Sequence, residues 1–281
     1  MKATRITFDV ETYKTDDPAV LEYVRAKAYA LVPKGNKDVK ALWMTTGPMD
    51  ERAAEAVEKT NLNPMFGRIL CANHLTDFAD GSKKAFQCDL MRNPADELAR
   101  LAEHWEETTD ADTLWIGHNI TNFDLGFLVN GFRRIGAPPP THFPVFRNGY
   151  WRGRIYDTMQ HIPNKQAGFI KLTEAYLAYG LGEAKEVIWE GEPMDGSRVA
   201  AAYDAGAYDP LLRYCDLDCV MERRLYLTQT ANGTYGTPEA RLTPLAELRE
   251  IIAKINASDA LTEPEKDSEV GNIVRTNHLA A

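Results

Sequence analysis

Two acidic residues on the first predicted strand could bind a metal ion. Residues 5–13 read Arg-Ile-Thr-Phe-Asp-Val-Glu-Thr-Tyr, an alternation of β-branched or aromatic side chains that predicts a β-strand. Side chains two apart on a strand point to one face, so Asp9 and Glu11 lie side by side. Adjacent carboxylates repel each other unless a cation lies between them, and such hard oxygen ligands suit Mg²⁺ or Mn²⁺. The alternative is a solvent-facing pair of acids on an edge strand.

A third acid follows another strand. Residues 117–124 read Gly-His-Asn-Ile-Thr-Asn-Phe-Asp, with a strand ending at Gly117 and a helix beginning near Phe123. Asp124 therefore lies at the first turn of a helix, at the carboxyl end of a strand, where open α/β sheets place their sites. The alternative is that Asn122 or Asp124 caps the helix, which would explain only one of the two.

The fourth acid is predicted on a long helix, where residues 214–218 read Tyr-Cys-Asp-Leu-Asp. At about 100° per residue, Tyr214 and Asp218 share a face with apolar residues of the same helix. Asp216 lies half a turn away, near two arginines, which predicts a surface ion pair of little energetic value. A tyrosine one turn before an inward Asp is also consistent with a core aromatic whose hydroxyl is hydrogen-bonded.

Taken in order, these motifs resemble those of the DEDD, or DnaQ-like, superfamily of 3′–5′ exonucleases. The chain has Phe-Asp-Val-Glu-Thr, then Gly-His-Asn-x3-Phe-Asp, then Tyr-Cys-x2-Asp. Tyr214 matches the tyrosine subclass, since the histidine subclass would have its His at position 213, which is Arg. The resemblance covers residues 5–228. The lead-in at 204–212, Asp-Ala-Gly-Ala-Tyr-Asp-Pro-Leu-Leu, is most similar to stand-alone relatives of the family B DNA polymerase proofreading domain, found in bacteria and their phages.

The resemblance implies an α/β, RNase H-like fold, which is a five-stranded mixed sheet with helices on both faces. It implies that Asp9, Glu11, Asp124 and Asp218 converge on two divalent metal ions, Mg²⁺ or Mn²⁺. Such ions would activate the attacking water and stabilise the leaving 3′ oxygen, which yields nucleoside 5′-monophosphates. Tyr214 would orient the water, because an unperturbed tyrosine has a pKa of about 10 and metal-bound water is the better proton donor.

The resemblance also implies contacts around the site. Thr12 would contact the terminal nucleotide, Asn119 would steady the strand or the groups behind the ligands, and Phe123 would pack against the terminal bases. A core role for Phe123 is an equally good explanation. We expect His118 to end its strand with satisfied hydrogen bonds rather than to ligate metal, and Asp157 receives no role.

The function expected from these features is hydrolysis of single-stranded DNA from its 3′ end. The alternatives are a 3′–5′ exoribonuclease on the same scaffold, a metal-dependent endonuclease of the broader RNase H-like group, and a nucleic-acid-binding module without catalysis. DNA and RNA differ in the 2′-hydroxyl, whose acceptance no residue of the sequence reveals. The presence of all four carboxylates and the tyrosine argues against the binding module.

Charge is unevenly distributed along the 281 residues. The net charge of −9 argues against a protein that coats nucleic acid through a broad basic surface. From Leu125 to Thr173, however, the chain has seven basic residues and one acid, Asp157. This local basic strip indicates a phosphate-binding groove, although an ordinary solvated face is the simpler explanation for any single arginine.

The composition, 44% hydrophobic and 26% charged, is typical of a soluble globular protein. No apolar run approaches the roughly 20 residues that span a bilayer, and the N-terminus lacks the apolar segment of a signal peptide. The four cysteines have no disulfide or zinc spacing pattern. We therefore expect a cytoplasmic protein of a bacterium or a phage-infected host cell, with no membrane partner.

Alternating strands and helices must position these motifs and predict an α/β sheet. Beyond the first strand, we predict strands at 67–72, 84–88, 114–117 and 153–156, and helices at 93–107, 121–136, 172–179 and 209–229. Residues 1–230 would form the exonuclease domain, in which 14–63 are an insertion with helices at 17–28 and 49–60 and a loop at 33–37. The insertion could flank the substrate groove or serve as a packing extension. Residues 231–281 would be a C-terminal helix, at 243–256, and an acidic mobile tail.

Overall fold

A five-stranded mixed sheet forms the centre of the structure, a computed structural model that describes residues 1–30, 49–147, 150–162, 168–182 and 187–230. Its strands run in the order β3-β2-β1-β4-β7. Strands β3, β2 and β1 are antiparallel neighbours, whereas β4 and β7 run parallel to β1. In chain order the strands are β1 (Ala3–Tyr13), β2 (Arg68–Phe78), β3 (Lys83–Phe86), β4 (Leu114–Gly117), β5 (Val145–Arg147), β6 (Tyr150–Arg152), β7 (Arg154–Asp157), β8 (Ile188–Trp189) and β9 (Glu192–Pro193).

Helices cover both faces of this sheet. In chain order they are α1 (Pro18–Ala30), α2 (Met49–Glu58), α3 (Pro94–Thr108), α4 (Asp124–Arg134), α5 (Leu172–Ala178), α6 (Val199–Asp204) and α7 (Tyr208–Thr230), with a 3-10 turn at Lys59–Leu62. Among the helices that the structure describes, none has a long enough apolar stretch to cross a lipid bilayer.

The alternation of β1 decides what each face of the sheet carries. Ile6, Phe8 and Val10 point into the main core, where they pack with α3 and α4. Burial of each such side chain stabilises the fold by about 2 kcal/mol. The residues between them, including Asp9 and Glu11, point to the face that α7 covers. One strand therefore contributes to the core and presents acids at the same time.

Helix α3 shows how the sequence sets the packing. Pro94 occupies the first turn, and the acids Asp96 and Glu97 lie at the positive end of the helix dipole. Its buried residues are Leu98, Leu101 and Trp105, which recur every three to four positions and so form one face of the helix. Trp105 stacks on Phe143 and contacts Phe8 edge-on, so these three rings fill the core beneath β1.

The predicted sheet strands and their helices are confirmed, with three differences. Strand β2 extends to Phe78 rather than ending at residue 72, because its polar residues are buried by partners elsewhere in the chain. Two short hairpins, β5–β6 and β8–β9, were not predicted. Helix α6 was also not predicted; it is only six residues long and contributes Val199 and Ala202 to a second core cluster.

Helices α1 and α2 lie between β1 and β2, where two helices were predicted. Tyr13 pairs with Arg68 at the point where the chain leaves and re-enters the sheet, and a register shift separates Glu11 from Thr12. The predicted loop at 33–37, the C-terminal helix and the acidic tail lie outside the described residues.

Candidate active site

Helix α7 brings the third predicted acid to the two acids of β1. One carboxylate oxygen each from Asp9, Glu11 and Asp218 lies within 4.8 Å of the other two. Two contacts fix the helix against the sheet. The Cys215 thiol donates to the backbone carbonyl of Asp9 at 3.3 Å, and the Asn73 amide of β2 donates to the Leu212 carbonyl at 2.9 Å. A single cation could contact all three carboxylates across such a span.

The chemistry of this group fits a divalent metal ion. Asp9 Oδ2 is buried and has no hydrogen-bond partner in the described part of the chain. Burial raises the pKa of Asp9 well above its usual value, and nearby negative charges, including those of Asp218 and Glu11, raise it further. A buried carboxylate without a partner costs free energy that a bound cation would offset. Three hard oxygen donors are typical ligands of Mg²⁺ or Mn²⁺.

Asp124 lies beside this group rather than within it. Its side chain is 2% exposed, and Oδ1 accepts a hydrogen bond from the backbone N–H of Val10 at 3.1 Å. Val10 is the residue between Asp9 and Glu11, so Asp124 is tied directly to the strand that carries both. Burial raises the pKa of Asp124 to about 8. The structure thus brings ligand atoms of three of the four predicted residues within 4.8 Å of one another. The fourth residue, Asp124, contacts the backbone of Val10, which lies between Asp9 and Glu11.

Tyr214 lies one turn before Asp218 on the buried side of α7, as the helix periodicity predicted. Its side chain is 8% exposed. Burial raises the pKa of the phenol far above its usual value, and the charges of Asp218, Glu11 and Asp9 add to the shift. The hydroxyl therefore stays protonated at neutral pH and acts as a hydrogen-bond donor close to the acids.

The turn that leads to Asp124 is held by a second buried acid, Asp157. Its carboxylate accepts hydrogen bonds from the backbone N–H groups of Asn119 at 3.0 Å and Thr121 at 3.2 Å. Asn119 adopts a positive φ of 63°, which Asn tolerates better than most residues. A side chain at Gly117 would meet Ile120 at 2.9 Å, so the end of β4 requires glycine. Asp157, which received no role from the sequence, positions the backbone here.

His118 is a structural residue of this turn, as expected. Its Nε2 donates to the Ile170 carbonyl at 2.7 Å, and its Nδ1 lies 2.9 Å from the Thr158 hydroxyl. Burial lowers the pKa of His118, so the ring is neutral at physiological pH. With both ring nitrogens engaged, it has no position left for a metal.

The three residues proposed for substrate contact have other partners in the structure. The Thr12 hydroxyl donates to the Asn61 carbonyl of the insertion at 2.7 Å. The Asn119 side-chain oxygen accepts from Asn122 at 2.9 Å. Phe123 packs against the core, with its ring 4.8 Å from that of Phe127. Their contact with a nucleotide stays a prediction.

Asp216 accepts hydrogen bonds from the side-chain amides of Asn73 and Gln87, on β2 and at the end of β3. Of the two arginines near it in the sequence, Arg223 binds Asp77. Helix α7 packs over β2 and the end of β3, so Asp216, which would face solvent on an isolated helix, is half-buried. Asp216 lies outside the three-carboxylate group, as predicted.

Glu222 is a fifth acid that the sequence analysis missed. It lies one turn after Asp218, is 1% exposed, and accepts a hydrogen bond from the backbone N–H of His118 at 2.8 Å. The spacing of Tyr214, Asp218 and Glu222, four residues apart each time, places all three on one face of α7. That spacing was the available signal.

An exposed aromatic hairpin is attached to the same turn. Trp151 of β6 donates its indole N–H to the Thr121 carbonyl at 2.6 Å, which anchors the hairpin next to the start of α4. Phe146 and Tyr150 are 56% and 53% exposed, and the Arg152 guanidinium lies over the Tyr150 ring at 4.9 Å. Phe146 packs against Trp151 on one face of the hairpin, and Tyr150 lies with Arg152 on the other. Exposed aromatic rings of this kind can stack on bases.

Comparisons of the chain with models of known protein families, with curated proteins and with solved structures found no match.

Proposed function

We propose that the protein is a metal-dependent 3′–5′ exonuclease that hydrolyses single-stranded DNA to nucleoside 5′-monophosphates. The observation that carries this proposal is the meeting of Asp9, Glu11 and Asp218 within 4.8 Å of one another, with the protonated Tyr214 one turn away. About 200 positions of the chain separate Asp9 and Glu11 from Tyr214 and Asp218, yet these are the residues that the order of the DEDD motifs selects.

The sheet order supports an RNase H-like fold. An antiparallel β1–β2–β3 unit followed by two parallel strands on the other side of β1 is compatible with that arrangement. It places the carboxyl end of β1 next to the turn after β4, where Asp124 lies. We assign the protein to the tyrosine subclass of DEDD exonucleases on the order of its motifs.

Asp9, Glu11 and Asp218 would hold the metal, and we assign Asp124 to a second ion. When bound, two Mg²⁺ or Mn²⁺ ions would supply an activated water and neutralise charge on the scissile phosphate. The chain provides the rigid frame for this chemistry. The Val10 N–H restrains the Asp124 carboxylate, and the Cys215 thiol restrains the Asp9 backbone.

Tyr214 would orient the attacking water rather than deprotonate it. A phenol whose pKa lies far above 10 cannot act as a base at neutral pH, but it donates a hydrogen bond reliably. The buried position of its ring on α7 limits its motion and thus fixes the direction of that hydrogen bond. Tyr214 would therefore contribute by positioning the attacking water.

The aromatic hairpin supports a single-stranded substrate. Phe146 and Tyr150 offer stacking surfaces beside the turn that leads to Asp124, and stacking contributes about 1–3 kcal/mol per base. Base pairs would hide the faces that such rings contact. The arginines around them form the local basic region of an otherwise acidic chain.

The test is degradation of a linear, 5′-labelled single-stranded DNA with Mg²⁺ or Mn²⁺, beside a circular DNA and an RNA of the same sequence. We expect stepwise shortening of the linear DNA, release of mononucleotides and an intact circle. Asp218→Asn is the matched control, because it keeps the shape of the side chain and removes its charge.

Each arm of this experiment has a distinct meaning. Cleavage of the circle would show an endonuclease, and preferential degradation of RNA would show an exoribonuclease. DNA binding without any product in either metal would show a binding module. Equal activity of Asp218→Asn and the natural protein would show that the product comes from a contaminant.

A further inference from the structure

Glu222 places a fifth carboxyl group among the acids of the candidate active site. Its Oε2 atom is buried and has no hydrogen-bond partner in the part of the chain that the structure describes, while Oε1 accepts from His118. Burial raises the pKa of Glu222 well above its usual value, and the charges of Asp124 and Asp218 raise it further. Glu222 in turn raises the pKa of Asp9. Its carboxyl thus lies within electrostatic reach of acids on β1, α4 and α7.

The hydrogen bond to His118 joins two elements that carry different ligands. His118 is the first residue after β4, at the start of the turn that leads to Asp124. Glu222 belongs to α7, the helix that carries Asp218. Asp157 holds the same turn through the next backbone N–H groups, but it does so from strand β7. The contact made by Glu222 therefore restrains the turn relative to α7, which the contacts of Asp157 do not do.

We propose that Glu222 is a positioning residue, which fixes the separation of Asp124 from Asp218 by holding the His118 backbone N–H against helix α7. Its effect on metal binding and turnover passes through these two acids. The part of the inference that concerns turnover rests on the proposed function, whereas the part that concerns geometry and metal binding does not.

Two substitutions separate the hydrogen bond from the charge. Glu222→Gln keeps an oxygen that can accept from the His118 N–H and removes the negative charge. Glu222→Met has a similar length and no comparable acceptor. Four carboxylates already balance the charge of two divalent ions, so we expect the loss of a fifth charge to be tolerated. Asp216→Asn is the control, because Asp216 is an acid of the same helix that lies outside the three-carboxylate group, and Asn keeps an oxygen that can accept from Asn73 and Gln87.

The first measurements need no catalysis. Hydrogen exchange of the His118 backbone N–H is followed by NMR without metal, and Mn²⁺ binding is followed by calorimetry. We expect Glu222→Gln to protect this N–H and to bind Mn²⁺ within about threefold of the natural affinity. We expect Glu222→Met to expose the N–H and to weaken Mn²⁺ binding by about tenfold or more, the loss expected when a buried donor is left without its acceptor.

Turnover provides the second readout if the protein is an exonuclease. Glu222→Met should lower kcat with little change in the KM for DNA, and Glu222→Gln should restore most of kcat. If Glu222→Met does not fold, Glu222→Asp replaces it, because the shorter acid keeps the charge and withdraws the oxygen from His118.

Three results would overturn the proposal. If Glu222→Gln damages Mn²⁺ binding as much as Glu222→Met does, or more than Glu222→Asp does, the charge matters and Glu222 acts as a ligand. If no variant changes Mn²⁺ binding, Glu222 has no positioning role. If Glu222→Met leaves the His118 N–H protected, the hydrogen bond is not what holds the turn. None of these results depends on whether DNA is the substrate.

Discussion

Asp9 and Asp77 lie on neighbouring strands and both face α7, but among the described residues only Asp77 has an ion-pair partner that balances its charge. Asp77 is bound by Arg223 of α7, whose guanidinium donates to both carboxylate oxygens at 3.0–3.1 Å, and Arg5 Nε lies 3.1 Å from Oδ2. Asp9 has a buried oxygen without any hydrogen-bond partner in the described part of the chain. The same sheet thus contains one acid that is neutralised by the fold and another that is not.

This difference distinguishes an acid that serves the fold from one that we propose binds a metal. A buried ion pair with good geometry explains its own burial, whereas a buried carboxyl beside other carboxyls must either take up a proton or bind a cation from outside the chain. Exposure alone does not reveal the difference, because Asp77 is buried and Asp9, which is half-buried, has a buried Oδ2 atom.

The largest effect is expected at the acid without a hydrogen-bond partner. Asp9→Asn should reduce turnover by roughly 10³-fold or more, because it removes a metal ligand whose contribution is several kcal/mol. The metal-free variant should unfold at a higher temperature than the natural protein, since the repulsion among the acids is relieved. Calorimetric unfolding in EDTA and the oligonucleotide assay measure the two quantities. A variant that is both inactive and less stable would place Asp9 among the structural acids.

At Asp77, whose charge is balanced by Arg223, we expect a loss of stability without a loss of metal affinity. Arg223→Met leaves Asp77 buried without the guanidinium that donates to both of its oxygens and should lower the free energy of unfolding by about 3 kcal/mol. Mn²⁺ affinity of the folded fraction should stay unchanged. Urea denaturation measures the loss, and the double variant Asp77→Asn/Arg223→Met should recover part of it. A fall in Mn²⁺ affinity without a fall in stability would contradict the structural role of Asp77.

The pH dependence of stability should differ with and without metal. The pKa of Asp124 rises from its ordinary 3.8 to about 8 on burial, so the folded protein binds this proton more tightly than the unfolded chain. Its contribution is complete below about pH 4 and is lost as the pH rises to about 8. In EDTA, the free energy of unfolding should therefore fall by a few kcal/mol over this range.

Asp124→Asn is the control for the pH dependence, and its stability should vary less steeply with pH. Excess Mg²⁺ should reverse the trend for the natural protein, because the ion binds the deprotonated carboxylates. Parallel pH profiles for the natural protein and Asp124→Asn would show that this carboxyl titrates normally.

A smaller effect is expected at Tyr214. Tyr214→Phe removes one hydrogen-bond donor and should slow the chemical step by about 10- to 100-fold while Mn²⁺ affinity is unchanged. Single-turnover kinetics with a metal titration separates the two quantities. Equal rates for both proteins would remove Tyr214 from the mechanism and leave it as a core aromatic.

The smallest effect is expected at Asp216, which is an acid of α7 like Asp218. Asp216→Ala should retain most of the activity and lose about 1 kcal/mol of stability, because Asn73 and Gln87 lose an acceptor. The oligonucleotide assay and urea denaturation measure both. If Asp216→Ala is as inactive as Asp218→Asn, the helix-face assignment is wrong.

Local patterns were sufficient for much of the fold and part of the site. Alternation placed Asp9 and Glu11 on one face of β1, and the helical period distinguished Asp218 from Asp216. Both rules depend only on the geometry of a single element. The same rules located the sheet strands and the helices that cover them.

Contacts between distant residues explain what the sequence did not reveal. The second half of β2 was missed because Asp77 looks incompatible with a buried strand until Arg223, 146 residues away, neutralises it. The position of Asp124 depends on the Val10 N–H, which is 114 residues away. The spacing of Glu222 from Asp218 places it on the same face of α7, but it does not show that the His118 backbone N–H packs against it. Such pairings become apparent only in the folded chain.

Tyr13 pairs with Arg68 where the chain leaves the sheet for the insertion and re-enters it. Because the chain departs and returns at adjacent positions, the register that holds Asp9 opposite Asn73 and Glu11 opposite Cys71 is set by β1 and β2 themselves. A change in the length of the insertion should therefore leave both acids in register, provided that the turn at Lys59–Leu62 is kept, because its Asn61 carbonyl accepts from Thr12.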